Sequence, residues 1–250
     1  MKSEKYVKTY FKKSGTVAKW WNPTKDDYSH IYEKQLEIVK SWLKKIKPEN
    51  SLEISCGKGR ATKQLSKLGR NYLATDISKE MINIAKRTCK GVTFRQEDAE
   101  KLSIKTGTQD CIICLEALVH YPNPEKAIKE FYRVLKNGGV LIIDSDNSYS
   151  LRRILKNIFK FIDKKNYNSV GEDIFKSYNK KELCSMIKRA GFKIERFLYL
   201  GTLAPIRIKR NKGNINILSK KISKILQFFP ADKIPIIQRL ATYHLILARK

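Results

Sequence analysis

Apolar and polar positions along this chain switch repeatedly between a period of two and a period near 3.6. Leu52-Glu53-Ile54 reads as a short strand running into Ser55-Cys56-Gly57-Lys58-Gly59. A helical stretch follows, with Ala61, Leu65 and Leu68 on one face and Gly69 as its stop. Tyr72 to Thr75 is a second strand closed by Asp76, and Ser78 caps the next helix, which carries Met81, Ile82 and Ala85. Val92 to Arg95 is a third strand, and Asp110 to Leu115 a fourth, apolar enough to be buried on both faces. Asn123 and Pro124 open a helix packing Ala127, Ile128, Phe131, Val134 and Leu135; Asn137-Gly138-Gly139 ends it and Val140 to Ile143 is strand five. Asn179 with Glu182 forms a capping box for a helix holding Leu183, Met186, Ile187 and Ala190, stopped by Gly191. Phe192 to Leu200 and Tyr243 to Ala248 are the last two strands. This alternation predicts an α/β fold: a doubly wound, mostly parallel seven-stranded sheet covered by helices on both faces.

In such a sheet ligands bind beyond the carboxyl ends of the strands, so the residues just after each strand carry the candidate chemistry. The glycines of Ser55–Gly59 let the backbone approach a ligand and turn sharply into a helix. Asp76 ends the next strand, where a carboxylate can accept both hydroxyls of a ribose; alone it also reads as a turn residue before a helix. Glu97-Asp98-Ala99 adds a third polar cluster at the same edge, with Asp98 able to accept from an exocyclic adenine amine. Three clusters after three successive strands favour a nucleoside ligand. Thr62 stands where a dinucleotide fingerprint has its third glycine, which argues against a pyrophosphate cofactor. Cys111 and Cys114 lie three apart on a strand and face opposite sides, so they are core residues and no metal site is expected.

At this point the sequence resembles the class I S-adenosylmethionine-dependent methyltransferases, in particular the broad group that includes the quinone-biosynthesis enzymes. The likeness runs from about Ser51 to Ile143. Leu52–Arg60 looks like that family's first motif and Ala74–Ser78 like its second. Gln96–Leu102 is similar to the adenine-binding third, and Glu130–Gly139 to the signature ahead of strand five. The resemblance implies a Rossmann-like methyltransferase fold and S-adenosylmethionine as cofactor. It implies that Glu53 and Gly57 border the methionine moiety, in a loop whose Ser55 and Gly59 also approach the cofactor. Asp76 would hold the ribose, Ile77 and Met81 would flank the adenine, Asp98 and Ala99 would meet its edge, and Leu115 and Glu116 would line the sulfonium side. Ser55 departs from the family, which usually has its first glycine there. A base is needed only if the acceptor must lose a proton; His120, just past strand four and titratable near neutral pH, is the candidate, ahead of His30 and His244. Tyr10, Trp20, Trp21 and Tyr28 are candidates to close over the cofactor, or are plain packing residues.

The organisation expected is an N-terminal helical cap over 1–47 and a methyltransferase domain over 48–250, with cap insertions at about 147–178 and 202–238. With 250 residues, 42% of them hydrophobic, there is material for one large core. No run of eighteen apolar residues and no secretory start are present, and five scattered cysteines do not make a disulfide framework, so a soluble cytoplasmic protein is expected. Charge changes the picture most. The formal balance is +28, yet residues 48–146 carry 16 basic against 13 acidic residues while 200–250 carry 11 against 1. The surplus thus lies around the nearly balanced middle rather than filling it. It reads as attraction to phosphate-bearing partners, or as a lysine-rich composition from an AT-rich genome. Two insertions read as basic amphipathic helices. In Leu151–Ile162 the stripe is Leu151, Ile154, Leu155, Ile158, Phe159 and Ile162, set against Arg153, Lys156 and Lys160. In Ile215–Phe229 it is Ile215, Leu218, Ile222, Ile225, Leu226 and Phe229, set against Lys220, Lys221 and Lys224. Such helices suit a lid whose apolar face covers the site, or peripheral contact with an anionic membrane face. The acceptor expected is a small molecule or lipid, apolar with an anionic or phenolic portion. The alternatives are a tRNA or rRNA methyltransferase, since +28 supports backbone binding, and a catalytically silent binding protein of the same fold.

Overall fold

A computed structural model describes residues 9, 29–162, 176–202, 206–210, 213–219, 221–222 and 234–250. Helix α1 (Ser29–Ile46) precedes β1 (Asn50–Ile54). After the glycine loop come the short α2 (Thr62–Leu65), β2 (Asn71–Asp76), α3 (Lys79–Thr88), β3 (Thr93–Gln96) and β4 (Gln109–Cys114). Then follow α4 (Pro124–Val134), β5 (Leu135–Asp146), α5 (Leu151–Ile162), α6 (Lys180–Arg189) and β6 (Lys193–Leu200). A hairpin of β7 (Ile206–Arg210) and β8 (Gly213–Leu218), a short α7 (Pro235–Gln238) and β9 (Tyr243–Arg249) complete the described elements. The main sheet has the order β3-β2-β1-β4-β5-β9-β6, parallel from β3 to β5, with β9 antiparallel between β5 and β6.

Period two in the strands explains the two cores. Leu52, Ile54, Ile112, Cys114, Leu141, Ile143 and Ile246 face α4 and α6, where Phe131, Ile128, Leu183 and Ile187 are fully buried. The alternate residues Cys111, Ile113, Val140, Ile142, Leu245 and Leu247 face α1 and α3. Cys111 and Cys114 thus belong to different layers. Ile31, Leu36, Val39 and Leu43 of α1 are at most 1% exposed. At roughly 1.5–3 kcal/mol for each buried aliphatic side chain, they anchor α1 firmly to the sheet.

Local signals act as their chemistry dictates. Ser78 Oγ accepts from the Met81 N–H, Asn123 Oδ1 from the Lys126 N–H, and Asn179 with Glu182 makes both bonds of a capping box. Three expectations change. Helix α4 ends at Val134, and Asn137-Gly138-Gly139 lies inside β5, where Gly138 takes φ 78° and its N–H donates to the Lys250 carbonyl of the chain's end. Pairing with the last residues extends the strand backwards through the glycines. Ile215–Leu218, expected to open a helix, lies instead in β8, whose backbone pairs antiparallel with β7. Residues 223–229 of that stretch, with Ile225, Leu226 and Phe229, and likewise Tyr10, Trp20, Trp21 and Tyr28, lie outside the described residues. The third change concerns α5, which buries no residue: Ile154, Ile158, Phe161 and Ile162 point outwards, Phe161 being 90% exposed, while Arg152, Arg153 and Lys156 are half-buried. Of the expected stripe, Ile154, Ile158 and Ile162 are thus exposed while Leu151, Leu155 and Phe159 are half-buried, so the stripe is divided between the two sides of the helix.

His244 is not at the site either. It sits in β9 between the rings of Phe197 and Tyr199, at 5.1 and 5.4 Å, fully buried with neither ring nitrogen hydrogen-bonded. Burial pushes its pKa down to about 4. Below the ordinary histidine value the unfolded chain binds a proton that the folded one refuses, so stability falls as pH drops from about 6.5 towards 4. The His244→Phe variant should lose about 1–3 kcal/mol of that acid-side decline. Urea midpoints at several pH values check this; an identical pH slope in the variant would show that His244 is not the cause.

Candidate active site

The turn after β1 is built to leave room. Ser55, Gly57 and Gly59 all take left-handed backbone angles, φ 58°, 53° and 81°. A left-handed Ser55 explains why glycine is favoured there; its hydroxyl is 2.8 Å from the Tyr121 hydroxyl, which ties the turn to the segment after β4. A methyl group added at Gly57 would meet nothing within 4 Å, so open space faces this residue. At Gly59 the same methyl would lie 2.8 Å from Cys89 Sγ and 3.2 Å from Ala85 Cβ; here the glycine serves close packing against α3.

Asp76 ends β2 beside this turn. Its Oδ2 accepts from the Gly57 N–H at 2.9 Å and its Oδ1 from the Ser78 N–H at 2.8 Å. Burial raises its pKa while these backbone donors pull it down. A carboxylate offers about four lone-pair directions, so two oxygens fixed by two donors still have capacity for a vicinal diol. Ile77 is half-buried and Met81 buried at the start of α3, directly beyond. Asp98 is half-buried and its Oδ1 accepts from the Glu100 N–H, while Ala99 is buried. The neighbouring acids are structural. Glu97 holds Ser103 through its N–H and hydroxyl, and Glu100 accepts from the Asn123 N–H. In the signature stretch, Glu130 accepts from the Leu102 N–H and Arg133 donates to the Leu102 and Ile104 carbonyls, pinning the β3–β4 connection.

Glu53 lies beneath the turn rather than in it. It is buried, with Oε2 accepting from the Thr62 hydroxyl at 2.6 Å and the Tyr72 hydroxyl at 3.0 Å, and burial pushes its pKa up to about 7. Beyond β4, Leu115 is buried and Glu116 takes φ 56°. The Glu116 N–H donates to Asp144 Oδ1 at 2.6 Å, and its carboxylate pairs with Arg60, whose guanidinium lies 4.7 Å from the Tyr32 ring centroid. His120 sits on a single 3-10 turn (Leu118–His120), next to the Tyr121 that reaches Ser55. Burial pushes the His120 pKa down to about 4, so its imidazole is neutral at pH 7 rather than half-titrated.

The structure thus brings Ser55, Gly57, Gly59, Asp76, Leu115 and Glu116 to one edge. Sequence reasoning missed Arg60, Gln35, Asp144, Asp146, Tyr32 and Tyr243. Asp144 and Asp146 had a legible signal, being acids directly after the apolar Val140–Ile143 run at the carboxyl edge. The α1 residues had none, because only packing brings that helix over β4 and β5.

Residues 52–143 match the methyltransferase domain family. A ubiquinone biosynthesis O-methyltransferase of Coxiella burnetii is 28% identical over 140 residues, 54% of this chain and 59% of that protein, so the chain spans little more than half the length of this curated relative. An uncharacterized protein of Methanocaldococcus jannaschii is 32% identical over 205 residues, 75% of this chain and 76% of its own. Among solved structures, magnesium protoporphyrin IX methyltransferase from Synechocystis, crystallised with bound S-adenosylhomocysteine, aligns with TM-score 0.65 at 17% identity, over 99% of this chain and 100% of that one. An S-adenosylmethionine-dependent methyltransferase of Thermotoga maritima aligns with TM-score 0.61 at 18% identity, over 98% and 99%.

Proposed function

The chain belongs to the class I S-adenosylmethionine-dependent methyltransferases, and we propose that it transfers a methyl group to a lipophilic small molecule with an ionisable polar end. The observation that carries this reading is Asp76, anchored by two backbone donors beside the open space at Gly57. This arrangement fits an adenosyl group: a fixed acceptor for the ribose diol and a backbone turn without side chains in the way. When bound, S-adenosylmethionine supplies a methyl carbon already activated by its sulfonium. In this reading Asp76 accepts the two ribose hydroxyls, Ile77 and Met81 flank the adenine, and Asp98 with Ala99 meets its edge. Gly57 admits the methionine moiety, Ser55 and Gly59 shape the turn around it, and Glu53 supports that turn from below through Thr62 and Tyr72. Leu115 and Glu116 wall the methyl-transfer side. The protein's main task is alignment with water excluded. The proposed division is a helical cap over 1–47 and a methyltransferase domain over 48–250, with insertions at about 147–178 and 202–238 bordering the acceptor.

His120 is the proposed proton acceptor. Because burial keeps it unprotonated, turnover should be flat between about pH 6 and 8 as far as this group is concerned, and His120→Ala should lower kcat by about 10²-fold with cofactor affinity unchanged. The parent experiment incubates the protein with methyl-labelled S-adenosylmethionine and either a total lipid extract or bulk tRNA. Label entering the organic-extractable fraction is expected. Label entering only tRNA would overturn the small-molecule reading.

Peripheral contact with an anionic membrane face, from the cytoplasmic side, belongs to the same reading. The outward row Ile154, Ile158, Phe161 and Ile162 on a basic helix supports it. Wild-type protein should sediment with phosphatidylglycerol vesicles, and Ile158→Asp with Phe161→Asp should weaken this by about 10²-fold. Undiminished sedimentation of the double variant would assign the binding to general basicity. Among the described residues no helix is long and apolar enough to cross a membrane.

A further inference from the structure

Residues 118–123, between β4 and α4, touch two of the three polar clusters of the sheet edge at once. The Asn123 N–H donates to Glu100 Oε1 at 2.7 Å, in the turn that carries Asp98 and Ala99, and the Tyr121 hydroxyl lies 2.8 Å from Ser55 Oγ in the glycine turn. This segment is well fixed. The His120 N–H donates to the Ala117 carbonyl at 2.9 Å and the Tyr121 N–H to the Leu118 carbonyl at 3.2 Å. Lys176, ahead of α6, donates through its backbone N–H to the Val119 carbonyl and through Nζ to the Pro122 carbonyl, both at 2.9 Å. Tyr121 itself is buried in the core that holds Leu118, Ile128 and Phe131, and its hydroxyl is also 3.4 Å from Sγ of Cys114, the last residue of β4.

Ser55 is the opposite case. It takes φ 58°, which a side chain disfavours, and a serine hydroxyl can bond to nearby backbone and draw a turn out of shape. The Tyr121 hydroxyl engages that group instead. Of the two partners, Tyr121 is the one the core fixes, and Ser55 is the one held. A glycine at this position would need no such hold.

We infer that Tyr121 is a positioning residue of the cofactor site: its hydroxyl holds Ser55 in the left-handed conformation that keeps the glycine turn open to the methionine moiety. This rests on the methyltransferase reading. The test is calorimetric titration of the full chain with S-adenosylhomocysteine. Tyr121→Phe, which keeps the buried ring, should weaken binding by about 3–10-fold, the scale of one neutral hydrogen bond. Ser55→Ala removes the same bond from the other side and should cost as much. The two changes together should cost no more than either alone, since both delete one interaction. In a Ser55→Gly background, where glycine takes this φ unaided, Tyr121→Phe should cost less than about twofold. A Tyr121 that served only core packing would lower affinity equally in both backgrounds. 5′-Methylthioadenosine keeps the adenosine but lacks the amino-acid part, so Tyr121→Phe should weaken it far less than S-adenosylhomocysteine. Wild-type affinity in Tyr121→Phe, an undiminished loss in the Ser55→Gly background, or an equal loss for 5′-methylthioadenosine would overturn the proposal alone. Failure of wild type to bind S-adenosylhomocysteine would instead strike the methyltransferase reading.

Discussion

Replacing Asp76 with alanine is expected to weaken S-adenosylhomocysteine binding by about 10²–10⁴-fold, the scale of two lost charged hydrogen bonds at roughly 1.5–3 kcal/mol each. The loss has a second component, since the same carboxylate holds the Gly57 and Ser78 N–H groups that shape the turn and the start of α3. Asp76→Asn is the milder change. The amide keeps one acceptor oxygen, so one of the two backbone bonds survives while its NH2 faces the other N–H and presents a donor where a ribose hydroxyl must be received. It should therefore retain more thermal stability than Asp76→Ala while still losing at least tenfold in affinity. Titration calorimetry on both variants decides; wild-type affinity in Asp76→Ala would remove the ribose assignment altogether. Asp98→Ala serves as a comparison, expected to cost no more than about tenfold because it touches only one edge of the adenine.

Gly59→Ala is expected to destabilise the fold by about 2–5 kcal/mol, combining left-handed backbone strain of roughly 1–2 with overpacking of 1–3. The new methyl would sit 2.8 Å from Cys89 Sγ, itself buried and donating to the Gly59 carbonyl, and 3.2 Å from Ala85 Cβ in α3. A chain of this size should lose about 2–4 °C in Tm per kcal/mol. Cys89→Ala in the same background removes the nearest atom and should recover the overpacking part but not the strain. Thermal melts of the two single variants and the double variant test this. A Gly59→Ala protein melting like wild type would mean that the turn relaxes away from α3. Gly57→Ala is the informative contrast: φ 53° is strained there too, but open space surrounds the new methyl, so the stability loss should be smaller and the cofactor-affinity loss larger.

The strand-helix alternation, the capping residues Ser78, Asn123 and Asn179, and the placement of Asp76 and the glycine turn were legible because they are local. Each depends on residues a few positions apart, and hydrophobic periodicity together with backbone chemistry determines them. The same holds for the opposite-facing Cys111 and Cys114, since period two in a strand needs no tertiary information. What failed was decided by distant partners. The backward extension of β5 through Gly138 depends on pairing with the chain's last residues, and Ile215–Leu218 became a strand because Ile206–Arg210 lies beside it. The free pKa of histidine predicts a His120 that titrates near neutral pH, but burial, which a sequence does not display, pushes it to about 4. The clearest division is at α5. That Leu151–Ile162 is a basic amphipathic helix follows from spacing alone, because the 3.6-residue period fixes which side chains share a face. Which of those faces turns inwards depends on what the folded chain packs beside it. Arg152, Arg153, Leu155, Lys156 and Phe159 are half-buried, while Ile158, Phe161 and Ile162 face out. The period of a helix is a local property, whereas the side that is covered depends on neighbours the fold brings against it, which spacing along the helix does not encode.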